Sequence, residues 1–223
     1  MRYKDGLTRV GGWLPLRAVQ NLRISVNYLA LGAWMRSHGF AVHDRLAHRY
    51  RVFDRIRESV GEPLLYLEFG VFRGKSMRYW SGILSDPESR MVGFDSFEGL
   101  PETFDERLGY STGAFNVKGQ LPGIDDPRVS FEKGWFEDTL PGFTVPEHRA
   151  LVIGLDADLY SSTILALRSL AEHIVPGVVI YFDDFSQIDH EPRAFADFID
   201  ESGKRFRLLC TERSLNRPAF MCV

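Results

Sequence analysis

Two acidic stretches decide how this chain folds: Leu155-Asp156-Ala157-Asp158-Leu159-Tyr160 and, further on, Phe182-Asp183-Asp184-Phe185. Each follows an apolar run, Ala150–Leu155 or Val178–Phe182, and such runs are typical of buried parallel strands. In an open α/β sheet, ligands bind outside the carboxyl ends of the strands. We therefore expect four carboxylates to converge there. Something positive should lie among them, because packed carboxylates repel each other and oxygen-only ligands suit Mg²⁺ or Mn²⁺.

The composition indicates one globular domain. The chain has 223 residues, of which 44% are hydrophobic and 26% charged, and its net charge of -3 gives no indication of nucleic-acid binding. Residues 1–60 hold eleven Lys or Arg against four Asp or Glu, a balance of +7 that leaves -10 on the remainder. This basic segment is either a solvated helical face or a segment that packs over the acidic site or meets an anionic substrate.

The two cysteines and the termini predict a cytoplasmic protein without a membrane span. Cys210 and Cys222 have strand-like surroundings and are interpreted as two buried thiols, with a disulfide as the alternative. The N-terminus lacks a signal-peptide pattern. The apolar stretch from Val26 to Met35 contains Gly32 and is too short to cross a bilayer.

The apolar periodicity changes from helical to alternating at about residue 63. Before that point we expect an N-terminal helical cap over residues 1–62, with helices over Val19–Met35 and Val42–Ser59 and no strand. After it, strands alternate with helices, which predicts a doubly wound, mostly parallel sheet over residues 63–223, with an antiparallel C-terminal edge. The expected strands are Leu64–Phe69, Met91–Phe94, Val129–Glu132, Ala150–Leu155, Val178–Phe182, Phe206–Thr211 and Ala219–Val223, and the expected helices are Lys75–Leu84, Ser162–Ile174 and Glu191–Ser202.

A long segment, Glu98–Pro127, interrupts this alternation. It holds five Gly, three Pro and several aromatic residues. A loop of this length inside a compact domain is usually functional or disordered, and its aromatic content argues against simple disorder.

The turn after the first strand resembles a nucleotide-binding loop without matching either common pattern. Glu68-Phe69-Gly70-Val71-Phe72-Arg73-Gly74-Lys75-Ser76 has Phe72 where a dinucleotide fingerprint needs glycine, and too few residues for a phosphate-binding P-loop. Glu68 would repel a phosphate but suits the ammonium group of an amino-acid-bearing cofactor. Asp95, at the end of the second strand, can accept hydrogen bonds from ribose hydroxyls. Trp135, in Lys133-Gly134-Trp135-Phe136, offers either an apolar slot for a purine or ordinary core packing; together these residues suggest S-adenosylmethionine.

The succession of motifs resembles a known family over about residues 64–223. The motifs are Glu68–Gly74, Gly93-Phe94-Asp95-Ser96-Phe97-Glu98-Gly99-Leu100-Pro101, Lys133–Phe136, Asp156–Thr163 and Phe182–Phe185. In this order they are similar to the macrocin, mycinamicin and novobiocin-pathway sugar O-methyltransferases. The resemblance implies a Rossmann-like sheet, S-adenosylmethionine and a divalent metal.

The resemblance also implies roles for single residues. Asp156, Asp183 and Asp184 would bind Mg²⁺, and Asp158 would be the general base. The N-terminal helices and the Glu98–Pro127 loop would close over the substrate, and relatives of this kind assemble, so a homodimer is expected. The residues expected to hold the cofactor are Glu68, Gly70, Phe72, Gly74, Asp95, Ser96, Gly134, Trp135 and Asp156.

The leading hypothesis is therefore a Mg²⁺-dependent O-methyltransferase acting on a small molecule with adjacent oxygens, most naturally a sugar in natural-product biosynthesis. The alternatives are a metal-dependent oxygenase or hydrolase of related fold and a non-catalytic cofactor-binding or partner-binding protein. An anionic acceptor, met by Arg17, Arg23 and Arg36, is a further hypothesis.

Two assignments near the acidic stretches are left open. Asp158 is alternatively a structural carboxylate, and the chain must turn there, with Ser161 or Ser162 capping the following helix. His190 is either a base or substrate contact on the rim, or a surface histidine.

Overall fold

The computed structural model describes residues 2–104 and 110–223, and five residues of the Glu98–Pro127 loop therefore lie outside the described residues. The strands are β1 Arg45–Leu46, β2 Leu64–Phe69, β3 Arg90–Asp95, β4 Val129–Lys133, β5 Ala150–Leu155, β6 Val179–Phe182, β7 Phe206–Glu212 and β8 Pro218–Cys222. The helices are α1 Arg2–Gly11, α2 Leu16–Ser37, α3 Arg49–Val60, α4 Lys75–Ile83, α5 Phe136–Thr139, α6 Tyr160–Ser169 and α7 Glu191–Ser202, and a single 3₁₀ turn, Leu140–Gly142, follows α5.

The eight strands of the described residues form one sheet in the order β1-β7-β8-β6-β5-β2-β3-β4. Every neighbouring pair is parallel except those of β8, which runs antiparallel to both β6 and β7. The predicted fold class, a Rossmann-like and mostly parallel sheet with an antiparallel C-terminal part, is confirmed. The strand order reverses between β2 and β5, and ligands of open α/β sheets bind at such a point.

The prediction that residues 1–60 contain no strand is wrong. β1 pairs in parallel with β7, with Arg45 opposite Thr211, and forms the edge of the sheet. A strand of two residues has no alternating pattern that could reveal it in the sequence. The helix predicted from Val42 accordingly begins only at Arg49.

Two other helices also differ from the prediction. α6 ends at Ser169 instead of Ile174, because the chain then turns and buries Leu170 and Ile174 in the core. α1 was not predicted.

Two hydrophobic layers cover the two faces of the sheet. One contains a cluster of phenylalanines that includes Phe182, Phe195 and Phe220. In the other, Phe53 of α3 packs against Trp80 and Tyr181, so α3 belongs to the body of the α/β fold. Part of the predicted N-terminal cap, residues 1–62, therefore packs directly on the sheet.

Both cysteines are buried free thiols, as predicted. Cys222 belongs to the layer with Phe182, whereas Cys210 belongs to the layer with Phe53, so the sheet separates them. None of the helices among the described residues combines the length and apolar character that a bilayer span requires.

Candidate active site

A cavity of about 840 Å³ opens at the carboxyl ends of the central strands. Its walls bring together residues that follow β2, β3, β4, β5 and β6, together with part of the 98–127 segment. The lining residues are Gly70, Phe72, Asp95, Ser96, Gly99, Leu100, Pro101, Glu102, Tyr110, Phe115, Gly134, Trp135, Phe136, Glu137, Asp156, Ala157, Asp158, Ser161, Ser162, Leu165, Asp183, Asp184 and Arg217.

Three carboxylates meet on one wall of this cavity. Asp156, Asp158 and Asp184 place ligand oxygens within 4.8 Å of one another. Asp156 directly follows β5, and Asp158 adopts a left-handed backbone conformation with a φ of 58°. This turn at Asp158, which the sequence predicted, directs both carboxylates to the same side although only one residue separates them.

The electrostatics of this cluster favour a cation. Burial, followed by the charges of Asp183 and Asp158, raises the pKa of Asp156 well above its ordinary value. Burial and Asp184 raise the pKa of Asp158 to about 8. A divalent ion would relieve this repulsion, and an all-carboxylate oxygen set fits Mg²⁺ or Mn²⁺.

The predicted metal ligand Asp183 lies beside this cluster, with both carboxylate oxygens already hydrogen-bonded. Arg217 donates from Nε to Oδ1 at 2.9 Å and from Nη2 to Oδ2 at 3.3 Å. Tyr181 Oη donates to Oδ1 at 2.5 Å, and Arg49 Nη1 lies 3.5 Å from the same oxygen. Arg217 and Arg49 thus supply positive charge to Asp183, beside the cluster of Asp156, Asp158 and Asp184.

Asn216 and Glu191 fix the backbone that carries Asp183 and Asp184. The Asn216 amide donates to the carbonyl of Asp183 and to Oδ1 of Asp184, and its Oδ1 accepts from the Ser186 amide. Glu191 is fully buried and accepts the backbone N–H of Asp184 at 3.0 Å. Burial, with the charge of Asp184, raises the pKa of Glu191 well above its ordinary value.

The turn after β2 passes very close to the turn after β5. Gly70 has a φ of +91°, and a Cβ there would lie 1.9 Å from the carbonyl oxygen of Asp156. Only glycine fits this close approach, which the sequence pattern predicted in general terms. Gly74 begins α4 in a left-handed conformation and faces Pro122.

Asp95 holds this turn in place through three backbone hydrogen bonds. Its Oδ2 accepts the amides of Val71 and Phe72 at 2.8 and 2.7 Å, and its Oδ1 accepts the amide of Phe97 at 2.6 Å. Because a carboxylate has about four acceptor positions, a ribose hydroxyl can still bind to it. The expected ribose contact stays a prediction, and the amide contacts are an additional role that the sequence did not reveal.

The structure brings most of the predicted cofactor residues to the cavity and leaves two outside its lining. Those in the lining are Gly70, Phe72, Asp95, Ser96, Gly134, Trp135 and Asp156. Glu68 is 2% exposed, and burial raises the pKa of its carboxyl well above the ordinary value. Its Oε2 has no hydrogen-bond partner among the described residues. Contacts of the cofactor with Glu68 and Gly74 stay predictions.

Trp135 and Phe136 lie at the wall of the cavity that follows β4. Both line the cavity, and Trp135 precedes the first turn of α5. Phe136 also packs edge-on against Phe69 at 5.3 Å between ring centres. Phe136 therefore packs in the core as well as lining the cavity, and the slot for a purine at Trp135 stays a prediction.

The described part of the 98–127 segment folds back over the cavity. Leu100 and Ala114 pair through a backbone hydrogen bond, and Tyr110 stacks on Phe115 at 5.3 Å between ring centres. Glu102 accepts a hydrogen bond from Ser161 at the start of α6. The loop was predicted to close over the substrate, and its described residues lie where they could do so.

The predicted cap at the start of α6 is wrong. Neither Ser161 nor Ser162 caps the helix, whose N-cap position is Leu159. Instead, the Tyr160 amide donates to Nδ1 of His190 at 3.3 Å, and the His190 ring lies 4.6 Å from Phe104. His190 is half-buried outside the cavity lining and supports α6.

The N-terminal helices do not contribute to the cavity wall among the described residues. Neither α1 nor α2 supplies a lining residue, and Arg17, Arg23 and Arg36 are not part of the lining. The expected closure of these helices over the substrate stays a prediction.

Similarity to known proteins agrees with these features. A family model described as "Macrocin-O-methyltransferase (TylF)" matches residues 36–206. A tetracenomycin 4'-O-methyltransferase of Streptomyces olivaceus, whose full name specifies a 2,3-dimethoxy-alpha-L-rhamnosyl substrate, is 36% identical over 56% of this chain and 54% of its own length. Mycinamicin III 3''-O-methyltransferase of Micromonospora griseorubida is 32% identical over 56% of each chain. The chain thus spans about half the length of the curated relatives it matches.

A solved structure shares the fold over nearly the whole chain. CalS11, a calicheamicin methyltransferase, covers 98% of this chain and 90% of its own, with a TM-score of 0.56 and 18% identity. At this identity the similarity supports the fold alone.

Proposed function

The chain belongs to the TylF macrocin O-methyltransferase family, and from this premise we propose that it transfers the methyl group of S-adenosylmethionine to a hydroxyl of a small molecule. The observation that carries the proposal is the cavity, where six residues expected to contact the cofactor adjoin a cluster of three carboxylates that includes a seventh, Asp156. The acceptor we propose is a sugar moiety of a natural product, like the rhamnosyl group in the name of the Streptomyces olivaceus relative.

The proposed chemistry divides the work among the residues of the cavity. Asp156 and Asp184 belong both to the predicted ligand set and to the observed cluster, and Asp183 is proposed to complete the set. Mg²⁺ held there would lower the pKa of a hydroxyl and orient adjacent oxygens of the acceptor. Gly134 and Trp135 are proposed to position the cofactor.

Asp158 is proposed as the general base. It lies on the cavity wall beside Asp156 and Asp184, and burial together with the charge of Asp184 raises its pKa, which makes the ionised carboxylate a stronger proton acceptor. With S-adenosylmethionine bound, Asp158 would accept the proton of the acceptor hydroxyl while the methyl group passes from sulfur to that oxygen, with S-adenosylhomocysteine as the other product. We expect Asp158→Asn to abolish turnover and to leave affinity for S-adenosylhomocysteine nearly unchanged, as measured by kinetics and calorimetry. Retained turnover would remove Asp158 from this role.

The charges of the cavity favour a neutral acceptor over an anionic one. Seven Asp or Glu residues line it, whereas Arg217 is the one Lys or Arg among the described lining residues. Arg217 already pairs with Asp183. A phosphate group would therefore meet mainly negative charge. The stacked rings of Tyr110 and Phe115 instead offer an apolar surface to a sugar ring or an aglycone.

Methyl transfer to two acceptors that carry the same sugar tests this proposal. Purified protein, S-adenosylmethionine and Mg²⁺ would be incubated with 4-nitrophenyl α-L-rhamnoside or with rhamnose linked to a nucleoside diphosphate. We expect a mass gain of one methyl group with the neutral glycoside and much less with the nucleotide sugar. Preference for the nucleotide sugar would contradict the neutral acceptor, and full activity after exhaustive EDTA treatment would contradict the metal requirement.

The two alternatives differ from this proposal in cofactor use. A metal-dependent oxygenase or hydrolase need not bind S-adenosylmethionine, and a non-catalytic protein would bind it without turnover. A cytoplasmic location also stays a prediction.

A further inference from the structure

Two adjacent residues at the start of α7, His190 and Glu191, contact the two acidic turns of the cavity, which follow β5 and β6. Glu191 is the first residue of the helix and is completely buried, whereas His190 precedes the helix and is half-buried. Neither of the two lines the cavity. The proposed function gives them no part, so their contacts require a separate explanation.

Glu191 holds the backbone of Asp184. Its Oε2 accepts the Asp184 N–H at 3.0 Å, and its Oε1 is buried with no hydrogen-bond partner among the described residues. The helix dipole favours a carboxylate in the first turn of a helix by only about 0.3–1 kcal/mol, and an exposed side chain obtains that benefit without being buried. Burying a carboxyl with one oxygen unpaired costs more than this. The dipole alone therefore does not explain the burial of Glu191.

His190 holds the first residue of α6, two positions after Asp158. Its Nδ1 accepts the Tyr160 N–H at 3.3 Å. Two further contacts join the same tyrosine to α7: its hydroxyl donates to Asp197 at 2.8 Å, and the guanidinium carbon of Arg193 lies 4.5 Å from the centre of its ring. The start of α6 is thus fixed to α7.

The turn before α6 needs such an anchor. Asp158 has a φ of 58°. A left-handed conformation at a residue other than glycine costs on the order of 1–3 kcal/mol and persists only where the surroundings enforce it. Gly70 lies very close to one end of this turn, at Asp156, and His190 holds the other end through Tyr160.

The carboxylates on these two turns repel each other. Asp158 and Asp184 follow different strands, yet their ligand oxygens lie within 4.8 Å of one another and of Asp156. Like charges at this distance favour separation of the turns. Mg²⁺ demands near-octahedral geometry with oxygens at ~2.1 Å, so a small displacement of either turn would weaken its binding.

We propose that His190 and Glu191 are positioning residues that together set the spacing between Asp158 and Asp184. Because the two residues are consecutive at the start of one helix, their distance from each other is fixed, and each of them reaches a different acidic turn. The inference rests on the proposed function, in which Asp184 binds the metal and Asp158 takes the proton. Glu191 acts on the metal through Asp184, and His190 orients Asp158.

Each position offers one variant that keeps the hydrogen bond and one that removes it. Glu191→Gln retains a side-chain oxygen for the Asp184 N–H, whereas Glu191→Leu has none. His190→Asn can place its amide oxygen where Nδ1 lies, whereas His190→Leu has no acceptor. Glu201→Leu, which changes an exposed glutamate near the other end of the same helix, is the matched control.

Binding of Mn²⁺ to the full chain, followed by electron paramagnetic resonance of the free ion, tests this proposal. Mn²⁺ accepts the same oxygen ligands as Mg²⁺. Glu191→Leu is expected to raise the dissociation constant for Mn²⁺ ~10–100-fold, and His190→Leu, which displaces a carboxylate beside the ligands, ~3–10-fold. Glu191→Gln, His190→Asn and Glu201→Leu are expected to stay within ~3-fold of the wild type.

Affinity for S-adenosylhomocysteine, measured by calorimetry without metal, distinguishes positioning from a general loss of folding. All five variants are expected to bind it within ~3-fold of the wild type. Unchanged Mn²⁺ affinity in either leucine variant would overturn the role of that residue. A parallel loss of affinity for S-adenosylhomocysteine, or a Glu191→Gln variant as weak as Glu191→Leu, would overturn the proposal as well. A wild-type chain that binds S-adenosylhomocysteine but no Mn²⁺ would instead overturn the metal site of the proposed function, and this inference with it.

Discussion

Loss of the Arg217 side chain is expected to lower the free energy of unfolding more than loss of an exposed arginine would. Arg217 donates two hydrogen bonds to Asp183, at 2.9 and 3.3 Å, and one to Glu212 at 3.2 Å. The Asp183 side chain is only 8% exposed. Removing one partner of a buried ion pair costs about 3–5 kcal/mol, because the other charge is left uncompensated. Tyr181 and Arg49 still contact Asp183, so we expect Arg217→Gln to lower the free energy of unfolding by about 2–4 kcal/mol.

Urea denaturation without added metal measures this loss. The matched control is Arg213→Gln, an exposed arginine in the same β7–β8 turn, which is expected to change the free energy of unfolding by less than about 0.5 kcal/mol. In the double variant Arg217→Gln/Asp183→Asn, the loss should be smaller than the sum of the single losses by about 1–3 kcal/mol. Strict additivity, or a loss no larger than that of the control, would refute the assignment of Arg217 as the partner of Asp183.

Two further predictions concern the turn at the cavity and a carboxylate outside it. Gly70→Ala places a Cβ 1.9 Å from the Asp156 carbonyl oxygen and is expected to lower the free energy of unfolding by ~3 kcal/mol or more. The control Gly82→Ala, in open space on α4, is expected to raise the free energy of unfolding by ~0.5–1 kcal/mol. Equal effects of the two substitutions would contradict the close approach at Gly70. Hydrogen bonds from Arg128 lower the pKa of Asp126 despite its burial. The ionised carboxylate therefore stabilises the fold fully at pH values above ~3.9, the ordinary pKa of Asp. This contribution is lost as the pH falls through the lower pKa of the folded state. Asp126→Asn should therefore cost ~1–3 kcal/mol at pH 7 and progressively less below pH ~4, as measured by urea denaturation across that range; a loss independent of pH would contradict this account.

The sequence predicted those parts of the site that follow from local pattern. An apolar run that ends in aspartate identifies both a buried strand and a carboxylate at its ligand-binding end, which placed Asp95, Asp156 and Asp183 correctly at one edge of the sheet. The glycine at position 70 likewise marked a turn that needs an unusual backbone conformation. These features lie within a few residues of their cause.

The contacts that complete the site could not be predicted because they join distant parts of the chain. Arg49 and Arg217 lie 134 and 34 residues from Asp183 in sequence. The repulsion among the carboxylates required a nearby positive group but did not indicate which of the 27 Lys or Arg residues would supply it. Asn216, which fixes the backbone of the second acidic stretch, stands in a turn without a distinctive motif.

The most direct test of the central claim is calorimetric titration of S-adenosylhomocysteine into the purified protein, with and without Mg²⁺. The account predicts micromolar binding by the wild-type chain, and at least ~10-fold weaker binding after Trp135→Ala, because the apolar wall of the cavity is removed. Absence of binding under both conditions would contradict the assignment of this cavity to S-adenosylmethionine and would leave a metal-dependent activity without methyl transfer.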